Sequence, residues 1–434
     1  MNLLLRKILL ILLFGMFLFP HIQQQFEIIS IQPLKGSFVA ALDTTLSPSG
    51  WFSGKYQYKK EKYANENFGF RTWLVKLRNQ IDFSFFAKVN APEFIMGKEG
   101  CIYAKEHLDA HTGKDFIGED SIAQRMRRAK FIQDTLTKMG KTFIFIFAPG
   151  KASFYPEYFP EQYSNAQNKK SNYFCHLRRA EELNLNYIDF NNYFVKDRGV
   201  SKYSLFPFQL GTHWSEYGMC LVMDSLVKYI EQHRGIDMPD FFWKDIEIAN
   251  ARNKDIDITP PLNLLWFSNE DKMAYPRLKV QSGKGKTKPK VLAIGDSFYA
   301  TLYNKGFTKA FASTHLWYYN KSLQDINPTR NITVEEEITN NDIVIIMATE
   351  ANLKNVSWGF IDDAYNLFAK GEHPYYDVLT SKIKGTMEYI RTDAKWIKAI
   401  QEKADKNGLS LDSMLYLDSK WMVEEDAKKN KNPF

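Results

Sequence analysis

Apolar residues along the chain follow two rhythms. Thr142–Ala148 (TFIFIFA), Val291–Ile294 (VLAI) and Asp342–Met347 (DIVIIM) are short, nearly continuous apolar runs, the pattern of strands covered on both faces. Between them apolar residues recur at helical spacing. Phe68–Phe86 carries Phe70, Trp73, Leu74, Leu77 and Ile81, and Ser121–Met139 carries Ile122, Met126, Ala129, Ile132 and Leu136 before Gly140. Phe174–Leu183 and Met219–His233 read as further helices, and Asn186–Phe190 as a strand. Phe94–Gly97 reads as a short strand followed by a Gly-bounded turn. Strands alternating with helices predict an α/β fold, a doubly wound and mostly parallel sheet flanked by helices.

Three stretches depart from this alternation. Ile8–Phe19 is uninterrupted apolar sequence preceded by Arg6 and Lys7. Twelve helical residues rise only about 18 Å, but the flanking Asn2–Leu5 and Pro20–Ile22 bring the stretch nearer to the roughly 30 Å of a hydrocarbon core. The alternatives are a signal peptide, a signal anchor and a buried core helix. His21–Phe26 offers no small-x-small cleavage site, which favours the anchor. The two cations then stay in the cytoplasm and everything after residue 25 lies outside. Residues 243–289 are polar, Pro-spotted and Lys-rich, and read as an insertion or a long connection. From about Thr380 to Asp426 two amphipathic helices close the chain before a Lys/Asn tail. The expected organisation is an anchor or signal peptide over 1–25, an extracytoplasmic linker over 26–64, an α/β domain over 65–375 and a helical extension over 376–434.

Composition narrows the function. The 434 residues carry 57 Lys+Arg against 50 Asp+Glu, a net charge of +7. Spread over this length, it does not point to nucleic acid. Cys101, Cys175 and Cys220 are an odd set without a Cys-x-x-Cys pair, so neither a disulfide framework nor a zinc site is expected. With no cysteine set either, no cofactor or metal is expected.

Two motifs carry chemistry. Gly295-Asp296-Ser297-Phe298 follows the VLAI strand directly. A serine on a strand-to-helix turn stands at the carboxyl edge of the sheet, where open α/β folds hold ligands. Gly295 permits the turn, and the helix N-terminus suits a developing oxyanion, with Asp296 in support. Alternatively Ser297 only caps a helix. The second motif, Gly211-Thr212-His213-Trp214, opens the helix that runs to His233. His213 is the general base that a serine nucleophile needs.

In this order the motifs resemble those of the AlgX/AlgJ-like alginate and exopolysaccharide O-acetyltransferases. That family carries a circularly permuted SGNH-hydrolase domain, with Asp-x-His-Trp ahead of Gly-Asp-Ser-Phe. Asn67-Phe68-Gly69-Phe70-Arg71, Gly97–Tyr103 and Pro149-Gly150-Lys151-Ala152-Ser153 with Tyr155-Pro156-Glu157 resemble further family segments, so the likeness spans roughly residues 65–355. It implies an extracytoplasmic O-acetyltransferase held at the inner membrane, facing the periplasm. Ser297 would be acylated by a donor that a membrane-bound O-acyltransferase partner supplies, and a polysaccharide hydroxyl would take the acetyl group.

One departure stands out: Gly211 occupies the position of the family aspartate. Either a backbone carbonyl or a remote carboxylate (Glu216, Asp189 or Glu350) orients His213, or a Ser–His dyad works slowly, or the protein is a degenerate glycan-binding scaffold of an export complex. A carbohydrate acetyl esterase would use the same residues with water as acceptor. Lys151, after the TFIFIFA strand, reads either as a cation for an anionic sugar or acyl donor or as a solvated loop residue. Glu350, after DIVIIM, reads either as a crevice carboxylate or as a loop residue. Trp214, Tyr299 and Trp317 are candidates for stacking on sugar rings.

Overall fold

The computed structural model describes residues 3–35, 41, 43–164, 170–268, 271–320, 322–323 and 332–430. Residues 36–40 and 42 of the expected linker, and the tail 431–434, lie outside them. The chain divides into two compact units, one formed by 1–91, 259–267 and 383–434, the other by 92–258 and 268–382.

In the second unit six strands, among the described residues, form one sheet: β1 (Thr142–Ala148), β2 (Tyr187–Asp189), β3 (Lys290–Gly295), β4 (Ser313–Tyr318), β5 (Ser322–Leu323) and β6 (Ile343–Thr349), in the order β5-β4-β3-β6-β1-β2. All neighbours run parallel except β4 and β5, which pair as a hairpin. The predicted doubly wound α/β sheet is therefore present. The apolar runs behave as strands covered on both faces. Phe143, Phe145 and Phe147 of β1, with Leu292, Ile294, Val344 and Ile346, point to one core. Ile144, Ile146, Val291, Ala293, Ile343, Ile345 and Met347 point to the other. That side-to-side alternation is the two-residue period of a strand. Helices Glu119–Lys138, Asn172–Glu182 and Phe360–Lys370 contribute Ile122, Met126, Ala180, Ile361 and Ala364 to the first core. Helices Glu216–Arg234 and Ser297–Lys305 contribute Met223, Leu226, Phe298 and Leu302 to the second.

Register fixes where the loops emerge. Gly295 pairs with both Met347 and Tyr318, and Thr349 pairs with Ala148. The segments that follow these ends, beginning with Asp296, Tyr319, Glu350 and Pro149, therefore leave from one carboxyl edge. Residues 243–289 are more than a connection. Ile246–Asn250 pairs antiparallel with Lys272–Pro276, and Asp240–Phe242 pairs with Lys279–Gln281.

In the first unit one helix runs from Leu3 to Phe26, rising about 36 Å at 1.5 Å per residue. The expected twelve-residue run is thus extended through Pro20, and over Leu4–Phe26 the helix is long and apolar enough to cross a membrane. The same unit holds a helix over Arg71–Phe86. The C-terminal segment forms three helices among the described residues rather than two, Val378–Arg391, Ala394–Asn407 and Leu411–Asn430. Gly408 ends the second in the left-handed region at φ 63°, a break that apolar periodicity does not reveal. Ile390, Ile397, Ile400, Ala404 and Leu415 form a separate small core there.

Candidate active site

The serine turn is built from β3. Gly295 lies so close to the following helix that a Cβ would come within 2.6 Å of Tyr299 Cβ, which explains the glycine. Asp296 caps the helix Ser297–Lys305, its Oδ1 accepting from Phe298 N–H at 3.0 Å. Its Oδ2 accepts from Thr349 N–H at 2.8 Å, Thr349 Oγ1 at 3.0 Å and Asn352 Nδ2 at 2.9 Å. A fully buried carboxylate with four donors is satisfied, and it fastens the serine turn to the end of β6. Ser297 itself is half-buried at the first helical position.

Tyr319, just past β4, stands beside Ser297. Burial raises its phenol pKa and the Asp296 charge adds to this, while hydrogen bonding from the Ser297 hydroxyl and N–H opposes them. Tyr319 and Asn320 both hold left-handed backbone, at φ 50° and 52°, where non-glycine residues are strained. Neither Tyr319 nor Asn352 stands out in the sequence, since no motif surrounds them.

His213 sits on the loop ahead of the helix Glu216–Arg234, whose first turn Ser215 caps by accepting from Gly218 N–H at 3.0 Å. The carboxylate that meets the His213 ring is that of Asp257. Its Oδ2 pairs with His213 Nδ1, and its Oδ1 accepts from Thr212 N–H at 2.8 Å. Nε2 of the same imidazole is buried and has no hydrogen-bond partner. Asp257 belongs to the stretch read as an insertion, and its distance of 44 positions from His213 hides it from motif spacing. None of the three carboxylates considered from sequence takes the role. Glu216 pairs with Lys305. Asp189 accepts from Asn192 N–H at 3.0 Å and from the Tyr173 hydroxyl at 2.7 Å. Glu350 accepts from Ser153 Oγ at 2.5 Å and lies 3.8 Å from His111 Nδ1.

Gly211 has no room for an acid. A Cβ there would stand 2.1 Å from Pro207 Cγ and 2.8 Å from the Asp255 carbonyl oxygen. Below it Lys151 is fully buried. Its ammonium donates to the carbonyls of Ile102 at 2.7 Å, Gln209 at 3.2 Å and Gly211 at 2.9 Å. Burial lowers its pKa. Lys151 is therefore a strut under the His213 loop, neither a solvated cation nor a contact for an anionic ligand. Glu350 is likewise buried in its own polar cluster. Trp214, Tyr299 and Trp317 are all 0% exposed. They are core residues, because an aromatic this close to the sheet edge gains more from packing than from solvent, and they offer no face to a sugar.

The two motifs interlock. The ring of Phe298 lies 4.8 Å from the His213 ring and 5.0 Å from Trp214, and Trp214 Nε1 donates to Thr301 Oγ1 at 2.7 Å. Ser297, His213, Asp257, Tyr319 and Asn352 line one cleft of about 510 Å³. No hydrogen bond joins Ser297 to His213 Nε2, in keeping with the looser geometry common before a substrate binds. Among the described residues no group of three or more His, Cys, Asp or Glu side chains is placed to hold a metal ion. An imidazole oriented by a carboxylate, opening on a cleft shared with a serine at a helix start, is equipped for nucleophilic acyl chemistry.

Residues 94–246 match the family described as ALGX: SGNH hydrolase-like domain, acetyltransferase AlgX. The expected resemblance to the AlgX/AlgJ-like proteins and their SGNH-like fold is thereby met over a segment that includes His213 and ends before Asp257 and Ser297. Solved structures with a similar chain course include the O-acetyltransferase domain of Pseudomonas putida AlgJ, at 15% identity and TM-score 0.43, covering 63% of this chain and 99% of that one. AlgX of Pseudomonas aeruginosa matches at 12% identity and TM-score 0.41, covering 62% and 67%. PatB1 of Bacillus cereus matches at 14% identity and TM-score 0.39, covering 59% and 95%. No curated protein matches the chain.

Proposed function

We propose that this protein is an extracytoplasmic O-acetyltransferase that modifies a polysaccharide, with Ser297 as nucleophile, His213 as general base and Asp257 as the acid that orients it. The observation that carries this reading is the Asp257–His213 pair opening on the cleft that Ser297 shares. With a carboxylate on Nδ1, the imidazole presents Nε2 as the basic nitrogen and is stabilised once protonated.

In the first half-reaction Ser297 Oγ attacks the carbonyl carbon of an acetyl donor while its proton passes to His213 Nε2. The tetrahedral oxyanion is held at the helix start by the Ser297 N–H, with the Tyr319 phenol beside it. The donor's acyl bond then breaks, its leaving group takes the proton from His213, and an acetyl ester remains on Ser297. In the second half-reaction a sugar hydroxyl gives its proton to Nε2 and attacks the ester. Return of that proton to Ser297 Oγ releases the acetylated sugar. The helix Leu3–Phe26 would hold the protein at the membrane, with Arg6 and Lys7 on the cytoplasmic side and the cleft on the outer side, where a membrane-bound O-acyltransferase would deliver the donor. Gly211 is the feature that favours a degenerate scaffold, and the Asp257 carboxylate on His213 Nδ1 supports the enzyme reading against it.

The test uses the full-length protein in detergent micelles with p-nitrophenyl acetate. A burst of nitrophenolate, with an acetyl adduct in the intact mass that Ser297→Ala abolishes, is expected; absence of both overturns the reading. Adding oligosaccharide separates transfer from hydrolysis. A transferase moves the acetyl group to the sugar, whereas an esterase releases acetate at an unchanged rate.

A further inference from the structure

Among the described residues, the walls of the same cleft carry more carboxylates than cations. Five carboxylates line it, Glu93, Glu106, Asp109, Asp115 and Asp257, against two lysines, Lys105 and Lys354. Three of the five are engaged. Asp257 takes His213, Asp109 accepts from the Tyr163 hydroxyl at 2.7 Å, and Asp115 lies 3.7 Å from Lys354. Glu93 and Glu106 are exposed and free of such partners. Among the described residues that line it there is no arginine, although bidentate guanidinium forks are the usual means of holding carboxylated ligands.

A second observation points to a ligand at this wall. His107 lines the cleft, is only 4% exposed, and its Nδ1 has no hydrogen-bond partner. An unsatisfied buried nitrogen costs stability unless something else meets it. Burial lowers the His107 pKa to about 4, Glu350 opposing and His213 and Lys151 reinforcing, so the ring is uncharged near neutral pH and adds no positive field.

We propose, taking the site as the glycan-acetylating one argued above, that its acceptor is a polymer whose sugars bear no carboxylate, amino-bearing units preferred, with Glu93 and Glu106 as the charge-selecting wall and His107 Nδ1 as a hydrogen-bonding partner. A polyuronate chain entering this cleft meets like charge on two free carboxylates, which suppresses binding, while an ammonium meets the opposite.

The test is binding to full-length Ser297→Ala protein in detergent micelles, measured calorimetrically with length-matched chitosan, cellulose and polygalacturonate oligosaccharides. Binding does not need acylation, so the order of affinities is read apart from the nitrophenolate burst that tests the chemistry. The amino and neutral oligomers are expected to bind about tenfold or more tightly than the uronate. Raised salt and the double change Glu93→Gln, Glu106→Gln should narrow that gap. His107→Phe should weaken the neutral oligomer, with His107→Gln restoring part of the loss. Equal or tighter uronate binding, or no binding of any oligomer, overturns the proposal.

Discussion

Phe298, the residue after the serine of one motif, packs its ring 4.8 Å from the His213 ring of the other. Two segments 84 positions apart in sequence are thus registered by a side chain that takes no part in proton transfer, and the same ring braces Trp214. Phe298→Ala should cost about 3–5 kcal/mol of stability by opening a cavity in the core, while Phe298→Leu costs less. Because the cavity borders the base, Phe298→Leu should also slow the nitrophenolate burst. Urea unfolding and burst kinetics on the same preparations check both.

Asp257→Asn keeps the volume and removes the charge behind His213. The acylation rate should fall on the order of 10³–10⁴-fold with little change in donor KM. His213→Gln should cost about as much, and the double variant little more, because the two act as one unit.

Restoring the family aspartate by Gly211→Asp should not rescue Asp257→Asn. The added Cβ would meet Pro207 Cγ at 2.1 Å, and overpacking of this kind costs about 1–3 kcal/mol or more. The double variant should therefore show a lower urea midpoint than Asp257→Asn and no faster burst.

Lys151→Met leaves the carbonyls of Ile102, Gln209 and Gly211 without their shared donor. The lost hydrogen bonds outweigh relief of the buried charge, for a net loss of about 2–4 kcal/mol. The loop carrying His213 rests on this ammonium, so acylation should weaken by more than the unfolded fraction accounts for. Comparing burst amplitude with the folded fraction from circular dichroism tests this.

Acid should destabilise the fold through two buried imidazoles. Desolvation lowers His107 and His176 from 6.5 to about 4, partly offset by Glu350 for His107 and by the Asn172 carbonyl for His176. Between those values the unfolded chain binds more protons than the folded one. Stability is therefore full above pH 6.5 and declines as pH falls toward 4, by about 2–3 kcal/mol per histidine. The urea midpoint should drop between pH 7 and pH 4.5, and His176→Asn should flatten that slope even though it lowers the midpoint at pH 7.

The architecture is largely legible in the sequence. TFIFIFA, VLAI and DIVIIM became β1, β3 and β6, and helices Glu119–Lys138 and Glu216–Arg234 follow the spacing that announced them. β4 escaped notice because its burial alternates with half-exposed residues and no turn chemistry precedes it. The serine and histidine motifs announced themselves as local strings. Asp257 did not, lying in a polar stretch with the composition of a connection, and Lys151 looked like a surface cation because composition does not reveal depth.

Sequence alone determined the doubly wound sheet, the apolar N-terminal helix and the two motifs, because strand and helix periods and a strand–Gly–Asp–Ser turn are written in residues a few positions apart. Tertiary structure alone decided which carboxylate stands behind His213, that Gly211 has no space for one, and that Lys151, Trp214 and Tyr299 are buried while Glu93 and Glu106 edge the cleft. Those relations depend on which distant backbones meet at one sheet edge, and hydrogen bonding and burial at that edge follow from distances in space that residue order does not encode.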